Sequence, residues 1–259
     1  MPVESTHPFI LTAHQPVYLP WLGLMHKIAL SDMFCLFDDV QYLKKDWMNR
    51  NRIKTANGPV WLTVPVLSRD HYHLKCRDVR IHAALPWRRK HWRSILNAYR
   101  SAPFFRRYAD FFEDLYSKEW THLADLNQHI LRYLLDAFSI KVAWVRASDC
   151  SFDGKGSDLV LDMCRRLNAD IYVFGALGRT YARVEDFEKA GISVYFQDYR
   201  HPSYPQLGGQ FSPSMSAIDL LFNHGPASFE ILMEGNHSRE HLVRAAGVLP
   251  LTEAGAGRP

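Results

Sequence analysis

The chain has 259 residues, 47% hydrophobic and 22% charged, with a formal net charge of +4; this is enough apolar material for a substantial core and is ordinary for a soluble globular protein. Its apolar runs fall short of the roughly 18 residues that suggest a membrane span, and no basic segment followed by an apolar signal core opens the sequence, so a cytoplasmic protein without membrane contact is expected. Cys35, Cys76, Cys150 and Cys164 lie far apart without CxxC spacing, which predicts free thiols in a reducing compartment and no zinc site.

The small net charge conceals an asymmetry. Residues 41–107 hold 16 Lys+Arg against three acids, Asp46, Asp70 and Asp78, while the remainder holds 15 basic and 24 acidic residues. Clustered charge of one sign concentrates ligands of the other. An anionic partner such as a nucleotide sugar, a phosphorylated donor or RNA is expected.

In chain order, residues 8–13 read as a buried strand that breaks into His14-Gln15-Pro16-Val17-Tyr18-Leu19-Pro20-Trp21. That segment is too rich in Pro, Tyr and Trp for an ordinary loop. A helix over 22–30 and a strand over 33–37, ending in Asp38-Asp39, complete a βαβ unit. Ligands of open parallel sheets bind beyond the carboxyl ends of the strands, which places the first site search at His14, Gln15, Asp38 and Asp39. The polar segment Asn49-Arg50-Asn51-Arg52 leads into a hairpin, for which Asn57-Gly58 is a favoured type I′ pair, and Pro65 marks the second strand as an edge or its end. A short strand is expected over 78–81. Helices opened by Pro86 and Pro103, and a third over 125–138, form a helical insertion at about 86–138 whose aromatics read as core.

Alternation then returns, with strands at 142–145, 171–174 and 192–196 and helices over 157–167 and 184–189. The predicted fold class is α/β: a mostly parallel doubly wound (Rossmann-like) sheet with a β-hairpin region and a helical insertion. Residues 1–230 read as a single domain and 231–259 as a C-terminal extension, partly disordered where Gly, Ala and Pro accumulate at its end. Ser216-Ala217-Ile218-Asp219 is a capping-box pattern with Asp219 as the capping acid.

Two glycine turns that follow strands offer backbone amides to phosphate: one carries Lys155 and Ser157, the other Gly175 and Arg179. Neither matches a P-loop or a GxGxxG fingerprint. A second unusual loop, 197–206, carries His201, Tyr204 and Gln206 on a frame stiffened by Pro202 and Pro205. His14 and His201, with ordinary pKa values near neutrality, are candidate general bases. Asp38 is the acid assigned to the site, and Asn49, Arg50, Asn51 and Arg52 are candidate grips for phosphate or carboxylate. The nearest approach to the HxGH signature of nucleotidyltransferases, Gly23-Leu24-Met25-His26, is a poor match.

His14-Gln15-Pro16 with Tyr18-Leu19-Pro20-Trp21-Leu22-Gly23, Asp38-Asp39-Val40-Gln41-Tyr42, Asn49-Arg50-Asn51-Arg52-Ile53, Tyr199-Arg200-His201-Pro202, Tyr204-Pro205-Gln206 and 216–223 together resemble the WbqC-like protein family, over roughly 9–230. Ser157 stands where members often have Thr, and Phe174 where they often have Ser. The resemblance implies a setting of bacterial surface polysaccharide (O-antigen) synthesis and a glycine transferase acylating an amino sugar. The leading expectation is therefore an acyl or aminoacyl transferase forming an amide on the amine of an amino-sugar nucleotide or related small molecule. Its catalytic groups are taken from His14, His201 and Asp38. Its binding groups are Gln15, Tyr18, Trp21, Asn49, Arg50, Asn51, Arg52, Lys155, Ser157, Gly175, Arg179, Tyr204 and Gln206. Its donor is aminoacyl-tRNA, a carrier thioester or an acyl phosphate. The alternatives are a nucleic-acid-binding module that uses the basic block with Trp47, Trp61, Trp87 and Trp92 as stacking surfaces, and a nucleotidyltransferase-like enzyme. Neither a cofactor nor an oligomeric state is legible.

Overall fold

The computed structural model describes residues 7–44, 46–67 and 73–247. Five strands, β1 (Ile10–His14), β2 (Met33–Leu36), β7 (Ala143–Arg146), β8 (Ile171–Phe174) and β9 (Ser193–Phe196), form a parallel sheet in the order β7-β2-β1-β8-β9. Leu11 pairs with Met33 on one side of β1 and with Tyr172 on the other. β1 and β8 are central, and both are almost wholly buried, which explains their continuous apolar character.

Strand alternation divides the central side chains between two faces. Leu11, Ala13, Cys35, Tyr172 and Phe174 pack with Val160, Met163 and Cys164 of α6 (Ser157–Arg166) and Phe187 of α7 (Val184–Lys189). Ile10, Ile171 and Val173 pack on the other face with Leu30, at the end of α1 (Leu22–Ala29), and with Leu242 and Val243 of α10 (Arg239–Ala245). Helices therefore cover both faces, as the α/β reading requires. An ion pair between Arg239 and Asp32 at 2.6 Å anchors α10 beside the start of β2. Residues 248–259 lie outside the described residues, and with them the expected disorder of the last ten or so.

Between β2 and β7 the chain leaves the sheet. It forms the antiparallel hairpin β3 (Arg50–Thr55) and β4 (Gly58–Thr63), a small ribbon of β5 (Val66–Leu67) and β6 (Arg80–Ile81), and three helices, α2 (Trp87–Tyr99), α3 (Phe105–Ser117) and α4 (Leu123–Ala137). Ile53, Leu62, Ile95, Phe112, Leu126 and Phe222 lie in one cluster there, so the aromatics of the helical insertion are core, as expected. β6 is shorter than predicted because Cys76–Asp78 closes into a 3₁₀ turn before it.

Two local expectations are corrected. In the hairpin Thr55 pairs with Gly58, so Ala56 and Asn57 are the turn residues, and Asn57 is not among the residues of positive φ. Only Gly58, at φ +99°, uses that region, as in hairpins closed by a glycine bulge after the turn. At α8 (Ala217–His224), Ser216 caps the Ile218 amide, but Asp219 does not complete a capping box, because the Ser216 amide donates to the Arg52 carbonyl at 2.9 Å. The Asp219 carboxylate instead accepts from Tyr99 (2.8 Å), Tyr204 (3.0 Å) and Gln206 (2.7 Å) and is fully buried.

Candidate functional site at the strand-order reversal

The chain runs from β1 outward to β2 and β7, then returns across β1 to β8 and β9. The order reverses between β1 and β8, and their carboxyl ends separate there into a crevice, the position at which doubly wound folds bind ligands. A cavity of about 660 Å³ occupies it. The end of β1 contributes Ala13, His14 and Gln15; α1 contributes Trp21 and Gly23 at its start and Lys27 in its last turn; the end of β8 contributes Phe174, Gly175 and Gly178; and the end of β9 contributes Gln197, Asp198 and Tyr199.

The loop between β1 and α1 is held from below. The Tyr18 amide donates to the Trp47 carbonyl at 3.2 Å, the Ala217 amide donates to the Pro20 carbonyl at 2.8 Å, and Asn51 Nδ2 donates to the Leu19 carbonyl. Leu19 sits at φ +47°, an unfavourable conformation for a branched residue, so these contacts fix backbone that would otherwise relax. On the other side, Gln197 Nε2 donates to the Gly23 carbonyl (2.9 Å) and to His26 Nδ1 (2.8 Å), while His26 Nε2 donates to the His237 carbonyl (3.2 Å). Both nitrogens of His26 are thus committed, and burial pushes its imidazole down to about 4. The absence of a side chain at Gly23 matters, because a Cβ there would lie 3.0 Å from both Trp21 Nε1 and Tyr199 Cδ1.

His14 Nδ1 lies 2.9 Å from the Gln15 carbonyl. A carbonyl only accepts, so the proton is on Nδ1 and Nε2 is left as an acceptor. Burial, reinforced by the charge of Lys27, pushes the imidazole down to about 3. Lys27 itself is 4% exposed, donates to the Ala13 carbonyl at 2.9 Å and is pushed by burial down to about 7. No salt bridge to Lys27 occurs among the described residues. The Tyr199 hydroxyl is buried without a hydrogen-bond partner among them. The cavity therefore offers a neutral imidazole acceptor and an amine divided between its charged and neutral forms near pH 7.

Among the predicted site residues, His14, Gln15, Trp21 and Gly175 line this cavity. Ser157 lies beside it, following the lining residue Gly156, with its hydroxyl accepting from the Arg183 amide at 3.0 Å. Lys155 is exposed, and Arg179 lies over the Phe196 ring at 4.6 Å. Asp38 is fully buried and accepts from Arg146 (2.8 Å) and from the amide and hydroxyl of Ser148 (2.9 and 2.8 Å), which ties the end of β2 to that of β7. Tyr18 bonds His91 at 2.8 Å and Tyr116; Asn49 donates to the Val64 carbonyl at 2.9 Å; Asn51 accepts from the Arg52 amide at 2.7 Å. His201 uses Nδ1 on the Pro202 carbonyl (2.8 Å) and Nε2 on the Ser214 amide (3.1 Å), so both nitrogens serve the loop. Tyr204 and Gln206 bond Asp219. Arg50 and Arg52 lie on the outer face of the hairpin over Trp61, at 4.6 and 5.5 Å. Of the four predicted stacking tryptophans, Trp87 is buried and Trp92 packs on Phe105 and Tyr116; Trp47 and Trp61 adjoin each other.

The model of the WbqC-like protein family matches residues 15–231, which include the β1–α1 loop, the hairpin and the whole second half of the sheet. The chain belongs to the WbqC-like protein family. It is also 37% identical over 214 residues, 82% of this chain and 92% of the relative, to the uncharacterized protein Rv1507c of Mycobacterium tuberculosis. No solved structure matches. In this WbqC-like chain the cavity residue that sequence reasoning missed is chiefly Lys27; Gln197 and Tyr199 stand in the loop 197–206 that the sequence singled out, though not among the binding groups assigned from it. Part of the signal for Lys27 was present: on α1, Gly23 and Lys27 are four residues apart and share a face, and Lys27 stands among the apolar residues Leu24, Met25 and Ile28 of that helix.

Proposed function

We propose that the cavity binds an anionic small molecule, a nucleotide-activated amino sugar or a related compound, and that the protein transfers an acyl or aminoacyl group, glycyl included, to its amine. The observation that carries this reading is the pairing of Lys27 with His14 at the strand-order reversal. The amine nitrogen attacks the carbonyl carbon of the donor, and the bond from that carbon to the leaving oxygen or sulfur breaks. His14 Nε2 accepts a hydrogen bond from the amine and orients its lone pair. The proton the amine loses passes to neutral Lys27 Nζ and then to the leaving group. Lys27 suits this role better than His14 because a base works best with a pKa near the working pH. Family membership supports the chemistry, and the anionic acceptor suits the basic segment 41–107.

The test incubates the protein with an amino-sugar nucleotide and, in turn, an aminoacyl-tRNA, an acyl carrier thioester and an acyl phosphate, and follows the mass of the acceptor. A gain of one acyl group is expected with one donor, and no gain with any of them would end the proposal. Lys27→Met and His14→Ala should each lower turnover by about a hundredfold, the lower end for a general acid–base group. The rate should rise with pH through about 7 as Lys27 loses its proton. The other titratable groups lining the cavity are His14, Tyr172, Tyr181, Asp198 and Tyr199; a profile that stays level between pH 6 and 8, or one unchanged by Lys27→Met, removes Lys27 from the mechanism.

A further inference from the structure

The hairpin β3–β4 places alternate residues on opposite faces. Asn51, Ile53 and Leu62 point into the core, whereas Arg50, Arg52 and Trp61 share the outer face, with Arg52 opposite Trp61 in the register. Trp61 is 45% exposed, unusual for so large an apolar ring. It continues inward as a chain of rings: Trp61 to Trp47 at 5.4 Å, Trp47 to Trp21 at 5.8 Å and Trp21 to His14 at 5.3 Å. Packing alone does not require the chain to end on the outer face of a basic hairpin. Arg52 Nη2 donates to the Ser214 carbonyl at 3.3 Å, and a guanidinium resting on an indole carries five N–H donors in all, so one such contact does not exhaust its capacity for phosphate.

We propose that this outer hairpin face is a nucleotide subsite. A nucleobase stacks at the exposed flank of Trp61, Arg50 and Arg52 hold a diphosphate, and the attached sugar reaches along Trp47 and Trp21 into the cavity at His14. Charge complementarity selects the occupant, since the ring face lies in the segment of 16 basic and three acidic residues. Its reach selects a mononucleotide: three ring-to-ring steps separate Trp61 from His14, the extent of one nucleotide with its sugar and not of a polymer. The inference deepens the proposed function and rests on it, in that the linked sugar carries the reacting amine.

Equilibrium binding to the whole protein tests it without any acyl donor, so its outcome is independent of whether transfer occurs. UDP, dTDP, CDP, GDP and ADP are titrated separately and followed by tryptophan fluorescence and calorimetry. At least one should bind and quench the indole emission. Trp61→Ala should weaken it by about tenfold, the scale of one base–aromatic stack. Arg52→Gln should weaken the diphosphate more than the corresponding nucleoside. Circular dichroism checks that both variants are folded, which the exposure of Trp61 favours and which matters for Arg52, half-buried and bonded to the Ser214 carbonyl. Failure of all five nucleotides to bind, or wild-type affinity in folded Trp61→Ala, overturns the subsite. So does binding of a ten-nucleotide single-stranded RNA without binding of any mononucleotide, which would assign the face to a polymer. Acyl transfer that proceeds with wild-type KM in Trp61→Ala would leave the proposed function standing and remove this inference alone.

Discussion

Burying Lys27 works against folding. In the unfolded chain its amine titrates near 10.5, in the folded protein near 7. The unfolded state therefore binds the extra proton between those values, and stability falls as pH drops from about 10.5 to 7, with the full cost present below 7. A site under no functional demand would not keep an ammonium there. Lys27→Met, similar in length and apolar, is expected to stabilise the protein at pH 6 by about 2 kcal/mol while lowering turnover about a hundredfold, the signature of a strained functional group. Urea unfolding of the two proteins at pH 6 measures it. A loss of stability in the variant would mean that the hydrogen bond to Ala13 outweighs the desolvation, and that Lys27 is structural.

At the scale of elements, the site depends on how closely the ends of the strands meet the turns that follow them. Asp38 holds the end of β2 to Arg146 and Ser148, and Gln197 holds the end of β9 to α1, so two strand-end polar groups work as ties and leave the cavity chemistry to His14 and Lys27. The turn after β8 is equally constrained. A Cβ on Gly178 would lie 2.6 Å from Cβ of Phe174, a side chain 1% exposed in the core and stacked on Phe196. Gly178→Ala must therefore push the 3₁₀ turn 176–180 away from β8. The expected cost is about 2 kcal/mol, together with weaker ligand binding, because Gly175 and Gly178 both form the cavity wall. Denaturant unfolding and ligand titration of the same variant check both effects. Unchanged stability would show that the turn yields easily and that its glycine is not needed for close approach.

Across the whole molecule, several histidines are buried neutral. His26 and His91 are 1% and 5% exposed, and burial pushes each down to about 4 from the ordinary 6.5. As pH falls below 6.5 the unfolded chain takes up these protons and the folded one does not. Each histidine then costs up to about 1.4 kcal/mol per pH unit until pH reaches its folded value near 4. The urea midpoint should fall steadily from pH 6.5 to 4.5. Replacing His91 by Gln, which cannot charge, should flatten that decline; an equally steep decline in the variant would place the acid sensitivity elsewhere.

Much of this architecture was already determined by the sequence. The apolar runs of β1 and β8, the helical periodicity of α2 to α4 and the proline- and tryptophan-rich loop after β1 are local signals. They are carried by residue types whose spacing must match the period of the element they build. The α/β class and the opening loop as a cavity wall followed from them, as did the resemblance to the WbqC-like family. The roles of polar side chains did not follow, because a hydrogen-bonding group has no preferred partner until the fold supplies one. His201 and His14 sit in similar loops beyond strands, yet His201 has both nitrogens taken by Pro202 and Ser214 while His14 keeps one free. Asp38, Tyr204 and Gln206 were equally plausible contacts for a ligand, and tertiary structure assigned them to Arg146, Ser148 and Asp219. Lys27 is the converse case. Its position on the helix is written in the sequence, but the loss of water around its amine, which sets its chemistry, exists only once β1, α1 and β9 close around it.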